Sequence, residues 1–296
     1  MDPQQRLLLE RGYAALHDAG LCKPSLLGSV LAVNVGQWAS EFGSVLMRTS
    51  AGRSVYASTG FACSVTCGRV SFALGLQGPC ASFDTACSAS LVANHSSLRV
   101  LQRGECEYAL SAGVNMILDP GAMRVNAVAG FTSILGRSHT FDARADGYAR
   151  GAAIDAIVCR CGEAVPAHQS VWLCGSAVRQ DGRSASLTAP NGRAQKGVLA
   201  ASLSDASAQS EAVLEAHGTG TALGDPIEAG AVAAVLLTRD IESLVPLAIG
   251  SAKANAGHTE PGAGLAGAAK LLMQLMDAST SPNAQLRLLN QHVRNA

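Results

Sequence analysis

Cys87 is the first candidate for chemistry in this chain. The segment Asp84–Ser90 reads Asp-Thr-Ala-Cys-Ser-Ala-Ser, after a short extended stretch and before a run of Ala, Leu and Val at helical spacing. A cysteine at the beginning of a helix faces unpaired backbone N–H groups and the positive end of the helix dipole, and both favour the nucleophilic thiolate. A single cysteine is more often a buried structural residue, so this role depends on companions elsewhere in the sequence.

A glycine-rich turn around His217 supplies the first companion. In Glu215–Pro226 an apolar strand runs directly into His217, and a turn with three glycines follows. Glycines let the backbone approach a ligand closely, and the hydroxyls of Thr219 and Thr221 can hydrogen-bond a polar substrate arm. Alone, His217 is as well explained as an ordinary turn residue.

A second histidine turn lies in Ser251–Glu260. A predicted strand again leads into a histidine, His258, and a helix rich in small residues comes after it. Lys253 could orient Glu260 or another carboxylate and set the charge of the site, the alternative being a surface lysine.

Composition narrows the class of protein. The chain has 296 residues, 48% hydrophobic and 15% charged, with a formal net charge of +0, so it can bury a large core and offers no electrostatic case for nucleic acid. Its 9 cysteines include no C-x-x-C pair, which favours reduced thiols in a cytoplasmic protein and no metal site. No apolar run reaches the roughly 18 residues of a membrane span, and no signal peptide is seen.

Strands alternate with helices, which predicts an α/β architecture with parallel sheets. Strands are predicted at 31–36, 108–115, 153–159, 171–178, 210–216 and 247–251, and helices at 4–19, within 61–76, and at 88–103, 193–203, 227–237 and 263–276. The stretch 38–56 is predicted to be irregular.

Together the motifs resemble the β-ketoacyl synthase domain of type I polyketide and fatty acid synthases. Asp2–Glu10, Gly68–Ser71 and Ala145–Gly151 also match, so the resemblance spans nearly the whole chain. It implies a thiolase-like α/β fold of two similar mixed-sheet halves, layered α/β/α/β/α, with the helices after Cys87 and His258 buried at the centre. The halves would be 1–160, with the cysteine, and 161–296, with both histidines.

The resemblance also implies a mechanism. Cys87 would accept an acyl group from the phosphopantetheine arm of an acyl carrier protein. His217 and His258 would donate hydrogen bonds to the enolate formed when a malonyl-type extender loses carbon dioxide, and the enolate would attack the acyl group. No metal, redox cofactor or other group bound by the domain is needed.

Supporting roles and partners follow from the same resemblance. Lys253 would support His258 electrostatically, with Glu260 as a second supporting residue, and Thr219 and Thr221 would contact the pantetheine arm. The implied partners are a carrier protein, the other domains of a multidomain synthase and a second copy of the chain.

Other classes fit less well. Gly262–Gly267 matches the dinucleotide pattern G-x-G-x-x-G but lacks a strand directly before it and an acidic residue after it. A cysteine hydrolase usually needs one histidine with an Asn or Asp, whereas this chain has two histidine turns and the Lys253 motif. Thiolases use a second cysteine as base, whereas the later part of this chain carries the His258 motif instead. A non-catalytic relative that serves as a dimerisation or carrier-docking module stays open as the alternative function.

Two departures from the family pattern lead to further expectations. Ala152–Asp155 stands where the family has an acidic residue and glycines, which predicts an altered loop. The closing Phe-Gly-Phe-Gly-Gly loop and the first strand of the family are not found, which predicts a domain cut at both ends, with organelle targeting left open. Because loss of one oxyanion-hole donor costs about 10²–10³ in rate, the chain alone is expected to be a poor catalyst.

Overall fold

The computed structural model describes residues 1–38, 40–162, 171–208, 211–237 and 246–296. The strands are β1 Leu31–Gly36, β2 Cys80–Phe83, β3 Tyr108–Asn115, β4 Ala153–Arg160, β5 Val213–Glu215 and β6 Ala248–Gly250. The α-helices are α1 Pro3–Asp18, α2 Lys23–Leu26, α3 Glu41–Met47, α4 Ala57–Phe61, α5 Cys63–Leu74, α6 Ala89–Gln102, α7 Pro120–Val128, α8 Gly192–Ala206, α9 Gly224–Leu236, α10 Lys253–Ala256, α11 Ala263–Met276 and α12 Gln291–Arg294.

The chain divides into two units. Unit 1 consists of Met1–Val125, Gly151–Ala164 and Thr259–Ala266. Unit 2 consists of Asn126–Arg150, Val165–His258 and Gly267–Ala296.

A four-stranded sheet of order β2-β1-β3-β4 organises unit 1. β1 is parallel to β2 and β3, whereas β4 is antiparallel to β3. All six residues of β1 are buried, as expected for a central strand covered on both faces. One face carries the main apolar core, which α1 and α5 cover.

Helix α6 covers the other face at unusually short range. A Cβ added at Gly36 of β1 would lie 2.3 Å from the backbone nitrogen of Ser90, and one at Gly113 of β3 would lie 2.8 Å from the Ser90 Cβ. Glycine at these two positions therefore lets the helix rest directly on the strands. Buried hydroxyls complete the contact, since Ser97 Oγ accepts from Asn34 Nδ2 at 2.9 Å.

Unit 2 is built around the parallel pair β5 and β6, with register Glu215 opposite Gly250. Both strands end just before a histidine-bearing segment. Helices α8 and α9 pack against each other, and α12 packs against α9.

Three local expectations were wrong. Residues 171–178 form no strand, and Val171, Trp172 and Leu173 are exposed. No strand among the described residues pairs with this apolar run. The stretch 38–56 contains α3 and a 3₁₀ turn at Ser50–Arg53. Ala152–Asp155 is not a loop, because β4 begins at Ala153 and pairs with β3 from Asn115 onwards.

Within the ranges described, none of the helices is both long enough and apolar enough to cross a membrane.

Candidate active site

Cys87 lies in a tight turn at the carboxyl end of the parallel strands of unit 1. β2 ends at Phe83, the 3₁₀ turn Ala86–Ser88 follows, and α6 begins at Ala89. The Ser88 hydroxyl lies 2.9 Å from the Thr85 carbonyl and 2.8 Å from the Thr85 hydroxyl, which pins the turn. The thiol is therefore held at the N-terminal end of a 14-residue helix, as the sequence predicted, and the structure shows that it is half-buried.

The turn that carries Cys87 is strained. Ala86 has φ of 51°, in the left-handed region that non-glycine residues seldom occupy. Such a conformation costs on the order of 1–3 kcal/mol and persists only where the surroundings enforce it, often at functional sites. The Asp84 carboxylate helps to hold this conformation, because its Oδ1 accepts a hydrogen bond from the Ala86 N–H at 3.3 Å.

A second strained turn, around Glu260, packs against the first within unit 1. Glu260 has φ of 51° and its side chain is 2% exposed. Its Oε2 accepts a hydrogen bond from Asn115 Nδ2 at 2.9 Å, and Asn115 also donates to the Gly151 carbonyl at 2.8 Å. Asn115, at the end of β3, thus holds the Glu260 carboxylate; nothing in the sequence motifs pointed to it.

Glu228 holds the backbone that carries His217. Its two carboxylate oxygens accept the N–H groups of His217 at 2.6 Å and of Gly218 at 2.8 Å. Burial raises the pKa of Glu228, and these two N–H donors oppose the rise. The backbone is consequently fixed at the N–H groups of His217 and Gly218.

Asp225 closes the remainder of the same loop. It accepts from the N–H groups of Gly220 at 3.1 Å, Thr221 at 3.3 Å and Phe141 at 2.7 Å. Asp225 and Glu228 therefore brace the His217 loop.

Two glycines make this loop possible. Gly218 and Gly220 have φ of 44° and 78°. A Cβ on Gly218 would lie 2.6 Å from Thr140 Cγ2, and one on Gly220 would lie 2.7 Å from the His139 nitrogen. Both the backbone conformation and the space require glycine here.

The two threonines of the loop lie side by side. Thr219 Oγ1 and Thr221 Oγ1 are 3.2 Å apart, and Thr221 Oγ1 also accepts from the Gly224 N–H at 3.1 Å. Thr219 is 8% exposed, so its hydroxyl has little contact with solvent.

The rings of His217 and His258 meet in unit 2. Their centroids are 5.6 Å apart and their planes are perpendicular. His258 is completely buried, its backbone N–H donates to the Ala149 carbonyl at 2.7 Å, and its ring packs edge-on against Tyr148 with centroids 4.7 Å apart. Tyr148 belongs to Ala145–Gly151, which the sequence marked as a matching motif without indicating contact with a histidine.

The electrostatic environment keeps both rings neutral. Loss of hydration is the main cause that lowers the pKa of His258 to about 2, and the ammonium of the buried Lys253 is second. The pKa of His217 is lowered as well, first by loss of hydration and second by Lys253. His217 differs from His258 in that part of its surface is exposed. Neutral imidazoles each carry one N–H donor and one acceptor nitrogen, which suits them to bind a carbonyl oxygen as negative charge develops on it.

The predicted site residues thus fall into three local groups. Cys87 and Glu260 lie in adjoining turns of unit 1, His217, His258 and Lys253 cluster in unit 2, and Thr219 lies beside Thr221 in the His217 loop.

Comparison with known proteins defines the class. Residues 1–160 match the family model for the N-terminal domain of beta-ketoacyl synthases, and residues 171–287 match the model for the C-terminal domain. The chain belongs to the beta-ketoacyl synthase family and has the thiolase-like α/β fold of ketosynthases.

Particular relatives are polyketide synthases. The chain is 42% identical over 302 residues to a phenolphthiocerol/phthiocerol polyketide synthase of Mycobacterium tuberculosis, covering 99% of the chain and 16% of that protein. It is 38% identical to the highly reducing polyketide synthase frbB of Dothideomycetidae sp., covering 98% of the chain and 11% of that protein.

A solved structure shares the fold over the whole chain. The ketosynthase from module 6 of the bacillaene synthase of Bacillus subtilis 168 superposes with a TM-score of 0.90 at 32% identity, covering 99% of this chain and 51% of that one. The chain therefore spans about half the length of this ketosynthase and a smaller part of the curated synthases.

Proposed function

We propose that this chain is the condensing part of a polyketide synthase, which joins an acyl group to a malonyl-type extender. Cys87 attacks the acyl thioester of a carrier-bound substrate, the carrier thiol leaves, and the acyl group becomes a thioester of Cys87. The extender then loses carbon dioxide, its enolate attacks the acyl carbonyl carbon, and the Cys87 thiolate departs with release of a β-ketoacyl product.

The pair of perpendicular imidazole rings of His217 and His258, with centroids 5.6 Å apart, is the observation that carries this proposal. Decarboxylation of a malonyl thioester places negative charge on the thioester oxygen, and two N–H donors from His217 and His258 would stabilise that charge. A carboxylate in their place would repel the enolate. Burial first, and the positive charge of Lys253 second, lower the pKa of both rings and keep them from being protonated.

The remaining groups would orient the reactants. We assign Thr219 and Thr221 to the phosphopantetheine arm that carries each substrate, because their hydroxyls are adjacent on the loop held by Asp225. Glu260, held by Asn115, would position the turn next to Cys87. The partners proposed are an acyl carrier protein, further domains of a multidomain synthase and a second copy of the chain.

Acylation of Cys87 is the direct test. The protein is incubated with a short-chain acyl thioester of a pantetheine analogue, and its intact mass is measured. We expect one acyl adduct on the wild-type chain and none on Cys87→Ala. Cys22→Ala is the matched control, because Cys22 is exposed and hydrogen bonding with Ser25 lowers its pKa, which makes it the main competitor for non-specific acylation.

The histidines are tested in the second half-reaction. With a malonyl thioester, His217→Asn and His258→Asn are expected to keep Cys87 acylation but to release carbon dioxide at least about 10²-fold more slowly, the typical effect of removing one oxyanion donor. An adduct that persists in Cys87→Ala contradicts the nucleophile, and unchanged decarboxylation in both variants contradicts the histidine roles. No adduct on either protein would favour a non-catalytic docking module.

A further inference from the structure

Asn283, near the end of the chain, joins two separate segments of unit 2 through its side chain. Its Nδ2 donates a hydrogen bond to the Thr140 carbonyl at 3.0 Å, and its Oδ1 accepts one from the Ser251 backbone N–H at 3.2 Å. Thr140 and Ser251 are both 0% exposed, whereas Asn283 is half-buried. The proposed mechanism uses none of these three residues.

A side-chain amide suits both partners of Asn283. A backbone N–H can only donate and a carbonyl can only accept, so the residue between them must offer one acceptor and one donor. The same two partners decide which end of the amide carries the nitrogen. A carboxylate in this place would turn an oxygen towards the Thr140 carbonyl, and that hydrogen bond would be lost.

Both partners of Asn283 contact the backbone of the His217 loop. The Thr140 hydroxyl donates to the Gly218 carbonyl at 2.5 Å, and the Ser251 hydroxyl donates to the His217 carbonyl at 3.4 Å. A Cβ added to Gly218 would lie 2.6 Å from Thr140 Cγ2 and 2.8 Å from Ser251 Cβ. Thr140 and Ser251 therefore pack directly against the backbone that carries the histidine.

The carbonyl groups of His217 and Gly218 thus have a support that is separate from that of their N–H groups. Glu228 accepts the two N–H groups, at 2.6 Å and 2.8 Å. Gly218 has φ of 44° and no Cβ, so its own side chain does not restrict rotation of the peptide groups beside it. Hydrogen bonds from outside the loop therefore decide how these peptide groups, and the histidine attached to them, are oriented.

The segment that carries Asn283 is also anchored at other points. Asp142 Oδ2 accepts the N–H groups of Arg287 at 2.6 Å and of Leu288 at 3.0 Å. The Ala143 N–H donates to the Leu288 carbonyl at 2.8 Å. Replacement of Asn283 should therefore remove its own two hydrogen bonds and leave the path of the chain intact.

We propose that Asn283 is a positioning residue that fixes His217 for the decarboxylation step. The inference rests on the proposed role of His217 as a donor to the enolate oxygen. By tying Thr140 to Ser251, the amide keeps two hydroxyl donors against the His217 loop and so holds the imidazole in the direction of the thioester oxygen. A displacement of about 1 Å at a reacting group can cost about 10² in rate.

The effect belongs to decarboxylation and not to substrate binding or to acylation. Thr219 and Thr221, proposed for the pantetheine arm, lie in the part of the loop that Asp225 holds through the Thr221 N–H at 3.3 Å. Cys87 lies in unit 1. Loss of Asn283 should therefore lower kcat and kcat/KM for decarboxylation equally, the pattern of an interaction that matters only in the transition state.

The kinetics of Asn283→Asp test the proposal. The carboxylate keeps the size of the side chain and the acceptor for Ser251 but loses the donor to Thr140. We expect release of carbon dioxide from a malonyl thioester of a pantetheine analogue to slow by about 10- to 10²-fold. KM should stay within about twofold of the wild type, and acylation of Cys87 should be unchanged.

Asn290→Asp is the matched control, because it makes the same change of charge in the same segment. Asn290 caps α12, where its Oδ1 accepts the His292 N–H at 2.9 Å. Aspartate is as good a helix cap as asparagine, so this variant should release carbon dioxide at the wild-type rate.

A double-mutant cycle separates positioning from general destabilisation. In a His217→Asn background, Asn283→Asp should slow decarboxylation by less than about twofold, because its effect passes through a ring that is already absent. In nitrogen-edited NMR the ring signals of His217 should shift in Asn283→Asp and stay in place in Asn290→Asp. A loss of stability alone would lower the urea midpoint and leave the kcat of the folded protein and these signals unchanged.

Asn283→Ala is the second variant, since it removes both hydrogen bonds without adding a charge and decides the question if the aspartate variant does not fold. Wild-type decarboxylation in either folded variant, or an undiminished effect in the His217→Asn background, overturns the proposal. Failure of both variants to fold would make Asn283 a folding residue and would overturn it too. If His217→Asn itself releases carbon dioxide at the wild-type rate, the proposed function of His217 fails first, and the role of Asn283 fails with it.

Discussion

Asp155 offers a sharp test of the energetics of unit 1. It lies on β4 opposite Gly113, and its Oδ2 is buried without a hydrogen-bond partner among the described residues. Burial raises the pKa of this carboxyl from 3.8 to about 6. We expect Asp155→Asn, which removes the charge and keeps the shape, to stabilise the protein at neutral pH.

The magnitude follows from the shift of the pKa. A change from 3.8 to about 6 is roughly two pH units, equivalent to about 3 kcal/mol of folding free energy. Because the folded state binds this proton more tightly than the unfolded state, the stabilisation is complete below pH 3.8 and is lost as the pH rises through about 6. The advantage of the variant over the wild type should therefore grow by up to about 3 kcal/mol between acidic and neutral pH.

Urea unfolding at several pH values between about 4 and 7.5 measures this difference, since the free energy of unfolding falls linearly with urea. Asp277→Asn, which removes an exposed carboxylate, is the control for the loss of one negative charge. A free-energy difference between Asp155→Asn and wild type that is the same at both ends of the pH range would refute the reasoning.

Three further outcomes are expected. Gly36→Ala should abolish folding, a loss above about 4 kcal/mol, because its Cβ meets the Ser90 backbone at 2.3 Å; a folded variant by circular dichroism would show that α6 can retreat. Glu228→Gln should lower the free energy of unfolding in urea by about 1–3 kcal/mol, because the NH2 group that replaces one carboxylate oxygen cannot accept the backbone N–H that it faces, and an unchanged midpoint would argue against the brace. His217 and His258 should stay neutral from about pH 5 to 8 in nitrogen-edited NMR, and their depressed pKa values should make stability decline as pH falls below 6.5; a ring that titrates in this range would contradict the burial and Lys253 effects.

Local sequence predicted the central strands and several helices closely. β1, β3 and α11 have the expected bounds, because each is a continuous apolar or small-residue run ended by glycine, asparagine or a turn. The stretch 171–178 shows the limit of this reasoning, since an apolar run becomes a strand only if a neighbour offers its backbone. The strand predicted at 153–159 is confirmed as β4, and the altered loop expected at Ala152–Asp155 was wrong because pairing with β3 already begins at Ala153.

The candidate site also has a part that the sequence determined and a part that only the tertiary structure decided. The sequence alone determined where Cys87, His217 and His258 lie relative to their own strands and turns, because those relations depend on neighbouring residues and on glycines that permit the turns. Only the tertiary structure decided that Tyr148 packs on His258 and that Asn115 holds the Glu260 carboxylate. Such contacts join residues that no spacing rule connects, and they form because separate elements bury their surfaces against one another.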